Sequence, residues 1–170
     1  MPMPFTRWFT ALLLALTLVV TGCAAAPPSP YEQVQQDSSQ RNAPTAVARE
    51  ATQGSEFNRF FPPEGDGYER IYVQEKKGFA EAKLKKDGKE LAMLAISDTI
   101  SLPEAAAKFQ SSTENIAGYP ALEIGTTQTA ILVADRYQVK VLSRDPSFTA
   151  SDRRAWIEKF DLVGLAQLAR

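Results

Sequence analysis

The chain has 170 residues, of which 19 are basic and 20 acidic; it contains no histidine and a single cysteine. A near-neutral balance excludes the strongly basic surface that nucleic-acid binding requires. The absence of histidine removes the usual general base, the Ser-His and Cys-His nucleophile pairs and the common zinc and haem sites, and one cysteine excludes an internal disulfide.

Residues 1–23 have the three-part build of a secretory signal. Arg7 and the amino terminus supply positive charge, and Trp8–Val20 form an uncharged run of 13 residues. As a helix that run would be roughly 20 Å long, well short of the ~30 Å hydrocarbon core of a bilayer. The run ends in Val20-Thr21-Gly22-Cys23. This segment resembles the lipobox of bacterial lipoproteins: an aliphatic residue, a small residue, Gly or Ala, then cysteine. The resemblance implies cleavage between Gly22 and Cys23, a diacylglyceryl thioether on Cys23, and a further acyl chain such as palmitate on the new amino terminus. Two chains anchor a protein stably where one does not. Ala24 stands where an Asp would retain such a protein in the inner membrane, so the expected site is the periplasmic face of the outer membrane, with the outer face of the cytoplasmic membrane as the alternative. Ala24-Ala25-Ala26 also offers an ordinary signal-peptidase site, which would leave Cys23 incidental.

Cleavage removes Arg7 from the 19 basic residues, leaving 18 against 20 acidic ones. Residues 23–56 are rich in Ala, Pro, Ser, Gln and Thr and read as a tether of the lipidated cysteine. Ser29-Pro30-Tyr31-Glu32 has capping-box spacing, and residues 45–53 ending at Gly54 suit a short helix. As a coil, the stretch from Ala24 to Ser55 has an r.m.s. reach of roughly 30 Å.

Residues 57–170 read as one α+β domain. Alternation predicts strands at 69–74, with Ile71 and Val73 on one face and Arg70, Tyr72 and Gln74 on the other, and at 77–86, with Ala80, Ala82 and Leu84 on one face and Phe79, Glu81, Lys83 and Lys85 on the other, wet one. Asp87-Gly88 suits a two-residue hairpin turn, and residues 90–96 continue as a central strand. Ser101-Leu102-Pro103-Glu104 reads as a capping box opening a helix to Ser111 that buries Leu102, Ala105, Ala106 and Phe109. Strands are predicted at 119–124, 129–134 and 136–142. A second helix from Thr149 or Ser151 places Trp156, Phe160 and Val163 on a buried stripe, with Asp161 capping a further turn through Leu165 and Leu168. The expected architecture is an antiparallel sheet of about six strands in βββα-βββα order, with two helices on one face.

No Gly-x-Ser-x-Gly elbow, Ser-x-x-Lys pair, phosphate loop or GxGxxG occurs. Asp145 with Asp152, and Asp98 with Glu104, are the carboxylate pairs available for acid–base chemistry; all lie at strand-to-helix junctions, where acidic residues cap helices. Glu64-Gly65-Asp66-Gly67 supplies too few oxygen ligands for calcium and reads as a turn. No catalytic residue, metal site or cofactor other than the lipid on Cys23 is expected. Lys83 and Lys85, amid the charged hairpin, are the candidate partner surface, together with Phe57, Phe60 and Phe61 at the edge of the tether, which read first as closing the core and in the alternative as an exposed aromatic patch. The sequence is therefore expected to encode a non-catalytic accessory or interaction module tethered to the envelope membrane, with a protein partner there and no nucleic acid. The alternative is a carrier of a small apolar ligand such as a lipid, its cavity lined by Ala80, Ala82, Ala92, Ala95, Ala105 and Ala106.

Overall fold

The computed structural model describes residues 47–170. The signal segment 1–22, Cys23 and most of the expected tether lie outside them. The alternating segments form seven strands: β1 (Tyr68–Lys76), β2 (Phe79–Lys86), β3 (Lys89–Asp98), β4 (Glu114–Ile116), β5 (Tyr119–Ile124), β6 (Gln128–Val133) and β7 (Tyr137–Ser143). They make one antiparallel sheet in the order β1-β2-β3-β7-β6-β5-β4. Two meanders, β1–β3 and β4–β7, are thus joined where β3 pairs with β7 from Ala92↔Ser143 to Asp98↔Tyr137. The α+β class holds, with seven strands instead of six. The added strand, β4, is three residues long, too short to display an alternation. Asp87 and Gly88 turn the β2–β3 hairpin with φ of 51° and 75°, the left-handed pair that this dipeptide accepts readily.

Three helices complete the described fold: α1 (Pro103–Ala107), α2 (Ala150–Glu158) and α3 (Leu162–Leu168), with 3-10 turns at Gly54–Phe60, Thr99–Ser101 and Lys108–Ser111. On one sheet face Ala80, Ala82, Leu84, Leu94, Ile96, Ile131, Val133, Val139 and Val141 meet Phe57, Phe60, Phe61, Trp156, Ile157, Phe160, Leu162 and Leu165 in a single buried cluster. Thr149 begins α2 with a complete capping box, its hydroxyl accepting from Asp152 N while the Asp152 carboxylate accepts from Thr149 N. Asp161 caps α3 by accepting from Gly164 N at 2.8 Å.

Three expectations are corrected. The helices do not share one face: Phe109, following α1, packs with Ala130, Leu132, Ala106 and Leu122 on the opposite side from α2 and α3. One bulky apolar residue in that segment cannot specify which face it seeks. Ser101 does not cap α1, for its hydroxyl accepts from Ala48 N at 2.8 Å, and Leu102 is 53% exposed. Val163 is 66% exposed, because α2 ends at Glu158 and the new start at Asp161 resets the helical phase onto Leu162 and Leu165. On β1 the structure decides which face is inner: Tyr68 and Tyr72 lie against the core, and Ile71 and Val73 point outward. The rings win because they offer more apolar area and edge-on partners, Trp156 at 4.8 Å from Tyr68 and Phe61 at 5.4 Å from Tyr72. A period of two then fixes Ile71, and the register shift between Tyr72 and Gln74 accommodates Val73.

Residues 47–56, expected as tether, belong to the domain. Thr52 donates its N–H to Asp98, accepts from Gly78 N through its carbonyl, and shares a hydrogen bond of 2.9 Å between its hydroxyl and that of Tyr137. Ala51 is 5% exposed. Gly54 starts the 3-10 turn instead of ending a helix, and a Cβ there would overlap the carbonyl oxygens of Lys76 and Phe79. These contacts use backbone groups and small side chains, so composition could not reveal them. A fragment 45–170 is expected to melt cooperatively, and a fragment 57–170 to be less stable by about 2 kcal/mol or more, since several net hydrogen bonds of ~1 kcal/mol each are lost and Asp98 loses a donor. Urea denaturation of both fragments measures the difference; equal midpoints would return residues 47–56 to the tether.

Candidate interaction surface

The sheet face opposite α2 and α3 is only partly covered. The α1 segment and its 3-10 extension lie over β5 and β6 through Phe109, whereas the part built by β1, β2, β3 and β7 carries no helix among the described residues. Register places Ile71, Lys83, Met93 and Leu142 in one row across this open part, and Glu81, Ala95 and Lys140 in the next. Ile71 and Val73 are 43% and 44% exposed. Met93 and Ala95 are buried even here, screened by the longer side chains around them.

Lys83 and Lys85 fall on this surface, at the outward positions of β2. Lys83 is ion-paired with Glu90 at 2.7 Å, and Lys85 stands opposite Glu69 in the β1–β2 register. The neighbouring Lys76 ammonium lies 5.3 Å from the Phe79 ring centroid, and Lys86, on the core side, lies 4.4 Å from that of Tyr68. Phe57, Phe60 and Phe61 are not part of any surface patch. They are at most 4% exposed and pack on Tyr137, Tyr72 and Phe160 inside the core, which is where three clustered rings recover the most apolar burial.

Sequence reading passed over Lys140. It occupies the middle of β7, on the open face, between the small side chains of Ala95 and Ala130. Its ammonium lies 5.9 Å from the Phe79 ring centroid. Burial lowers its pKa below the ordinary lysine value, with the Glu81 charge opposing, and among the described residues no carboxylate forms an ion pair with it. The signal was faint: a lysine between inward valines looks like any solvent-facing strand position.

The four junction carboxylates have separate structural tasks. Asp98, buried at the end of β3, accepts from Arg136 Nε at 3.1 Å, Arg136 Nη2 at 2.8 Å, Thr52 N at 2.9 Å and Ile100 N at 3.1 Å. Burial alone would raise its pKa; the hydrogen bonds from Arg136, Thr52 and Ile100 outweigh burial and hold it below the usual carboxylate range. Asp145 is lowered to about 2 by its hydrogen bonds from Lys89 and Ser147. Asp152 caps α2, and Glu104 lies exposed in the first turn of α1. Glu64 accepts from Arg70 N, and Asp66 and Gly67 turn the chain with positive φ. No group of three or more potential metal ligands occurs among the described residues.

A cleft of about 370 Å³ opens where the β5–β6 turn, the end of β7 and the start of α2 meet, lined by Thr127, Ser143, Asp145, Phe148 and Arg153 among others. Arg153 is 3% exposed and donates from Nε to Thr129 Oγ1 at 2.8 Å, from Nη1 to Ser143 Oγ at 3.0 Å and from Nη2 to Glu123 Oε2 at 3.0 Å. With its nitrogens engaged in fastening α2 to the sheet, the guanidinium has a packing role in the cleft.

Comparison with protein-family models, with curated proteins and with solved structures returns no match to this chain. Among the described residues no helix is long and apolar enough to cross a membrane.

The Asp98 geometry fixes a pH dependence. A carboxylate whose pKa is lower folded than unfolded stabilises above its unfolded value near ~3.9, and that stabilisation is lost as pH falls through the folded value. Asp98→Asn is expected to cost about 2–3 kcal/mol at pH 7, below the ~3–5 kcal/mol of a fully buried pair because Arg136 is 25% exposed. The gap between wild type and variant is expected to shrink as pH drops below about 4. Chemical denaturation from pH 7 to 2.5 reads it; a constant gap would contradict the assignment.

Proposed function

We propose that this chain is a lipid-anchored, non-catalytic interaction module of the bacterial envelope, joined to the periplasmic face of the outer membrane through Cys23. The lipobox resemblance of Val20-Thr21-Gly22-Cys23 supports the anchor. The observation that carries the interaction role is the half-covered sheet, where Ile71 and Val73 stay exposed beside Phe79 and the lysines of β2 and β7 while the opposite face is filled. Leaving apolar strand residues in water costs free energy at roughly 25 cal/mol per Å², which a partner seated there recovers. The carrier reading has less support: Ala80, Ala82 and Ala92 are 0% exposed and packed within the core cluster, where they bring sheet and helices together.

Two measurements test this reading. Metabolic labelling with a fatty-acid analogue is expected to mark the wild-type chain and not Cys23→Ala; equal labelling refutes the anchor. Reversing Lys83 and Lys85 to Glu is expected to cost about 1 kcal/mol each, since Lys83 loses its Glu90 partner and Lys85 would face Glu69 with like charge, and to reduce partner recovery from envelopes in a salt-dependent manner. Unchanged recovery would move the docking site away from β2.

A further inference from the structure

Lys140 is a half-buried lysine of the open face that forms no ion pair among the described residues, although the Glu81 charge acts on it from a distance. Lys83 has Glu90 at 2.7 Å, Lys89 has Asp145 at 2.6 Å, and Lys85 stands across from Glu69. Lys140 stands between Ala95 and Ala130, which are 3% and 0% exposed and offer no polar atom beyond the backbone. Glu81 lies in the same row of the sheet but beyond Ala95, and forms no ion pair with it. The adjacent rows place Met93 and Leu142 on one side of it, and Phe79 with the uncharged Ser97 and Gln138 on the other. Partial burial without a contacting acid disfavours an ammonium, and an incoming carboxylate recovers that cost in a site where water screens it weakly.

From this arrangement we infer that Lys140 is the anchor point of the interface, receiving an aspartate or glutamate carboxylate that a partner protein presents between apolar residues. The apolar flanks seat on Ile71 and Leu142, and the carboxylate meets the ammonium. Charge complementarity selects the partner: the amine has no acid in contact among the described residues, and an apolar ligand with no anion would leave it buried still deeper and unpaired. A protein segment fits better than a small molecule, because the surface is an open sheet face and not an enclosed cavity. The inference rests on the interaction reading above and adds the chemistry of the contact.

A water-soluble carbodiimide tests it, since this reagent condenses an amine with a touching carboxylate into an amide without inserting a spacer. Envelopes carrying the full-length protein are treated and the peptides spanning Lys140 identified by mass spectrometry. The expected product joins Lys140 to an Asp or Glu of another polypeptide, within an apolar stretch. Lys140→Gln is expected to abolish that product and lower recovery of the same polypeptide at least tenfold, whereas Lys140→Arg keeps recovery and loses only the amide. Thermal midpoints of the purified variants, equal to wild type or higher, show that folding is intact. A product joining Lys140 to Glu81, or full recovery with Lys140→Gln, overturns the role of Lys140 and leaves the interaction reading standing. No crosslinked polypeptide through any lysine of the open face overturns both.

Discussion

A sheet has two faces, and burying both takes a layer on each. Among the described residues the chain provides α2, α3 and the 3-10 turn Gly54–Phe60 for one face, but only the five-residue α1 and its 3-10 extension for the other. That shortage is the constraint behind the rest of the structure. The rings gather on the well-covered side, with Phe57, Phe60, Phe61, Trp156 and Phe160 filling the space over three alanines of β2 and β3. What remains on the other side is a mixed strip of aliphatic and lysine side chains that shield the strands without a second layer, which long amphipathic stems do well.

The same economy appears at the ends of the sheet, where single polar groups replace packed elements. The Asp98 carboxylate gathers Thr52 from the chain entering the domain, Ile100 from the turn leaving β3, and Arg136 from the β6–β7 turn. Arg136 adds a bond to the Glu50 carbonyl at 2.9 Å. One buried charge with four donors thereby fixes three connections that no apolar cluster reaches. Arg153 does the equivalent for α2 at the other end, tying it to β5, β6 and β7. Such groups are costly to bury and costlier to orphan, so they define connectivity more than they add stability.

These two levels differ in how far the sequence reveals them. Six strands, the Asp87-Gly88 turn and the Thr149 and Asp161 caps follow from local periodicity and capping chemistry, and each lies where local rules place it. The misplaced or undecided features depend on competition between distant residues. Ile71 and Val73 satisfy a strand pattern as well as Tyr68 and Tyr72 do, and only the presence of Trp156 and Phe61 across the core decides between them. The side taken by α1 depends on where β6 lies relative to β3, which is a matter of topology. On the candidate surface Lys83 and Lys85 were legible from alternation, whereas Lys140 became distinctive only when its neighbours proved to be alanines. The phenylalanines near the tether, legible as a cluster, belong to the core because the segment before them also packs.

Among the described residues the domain has one covered face and one open face, and the central claim of the proposed function is that the open face is covered in the envelope. Ile71→Cys and Val163→Cys, each in the full-length chain with Cys23 replaced by Ser for the purified protein and retained for the envelope sample, where the proposed lipid would block its thiol, place a reporter thiol on the open sheet face and on the outer side of α3. Both positions are exposed in the isolated fold, at 43% and 66%. Maleimide labelling is expected to modify both in purified protein, and in intact envelopes to modify Val163→Cys while sparing Ile71→Cys. Equal labelling of the two in envelopes would contradict the account.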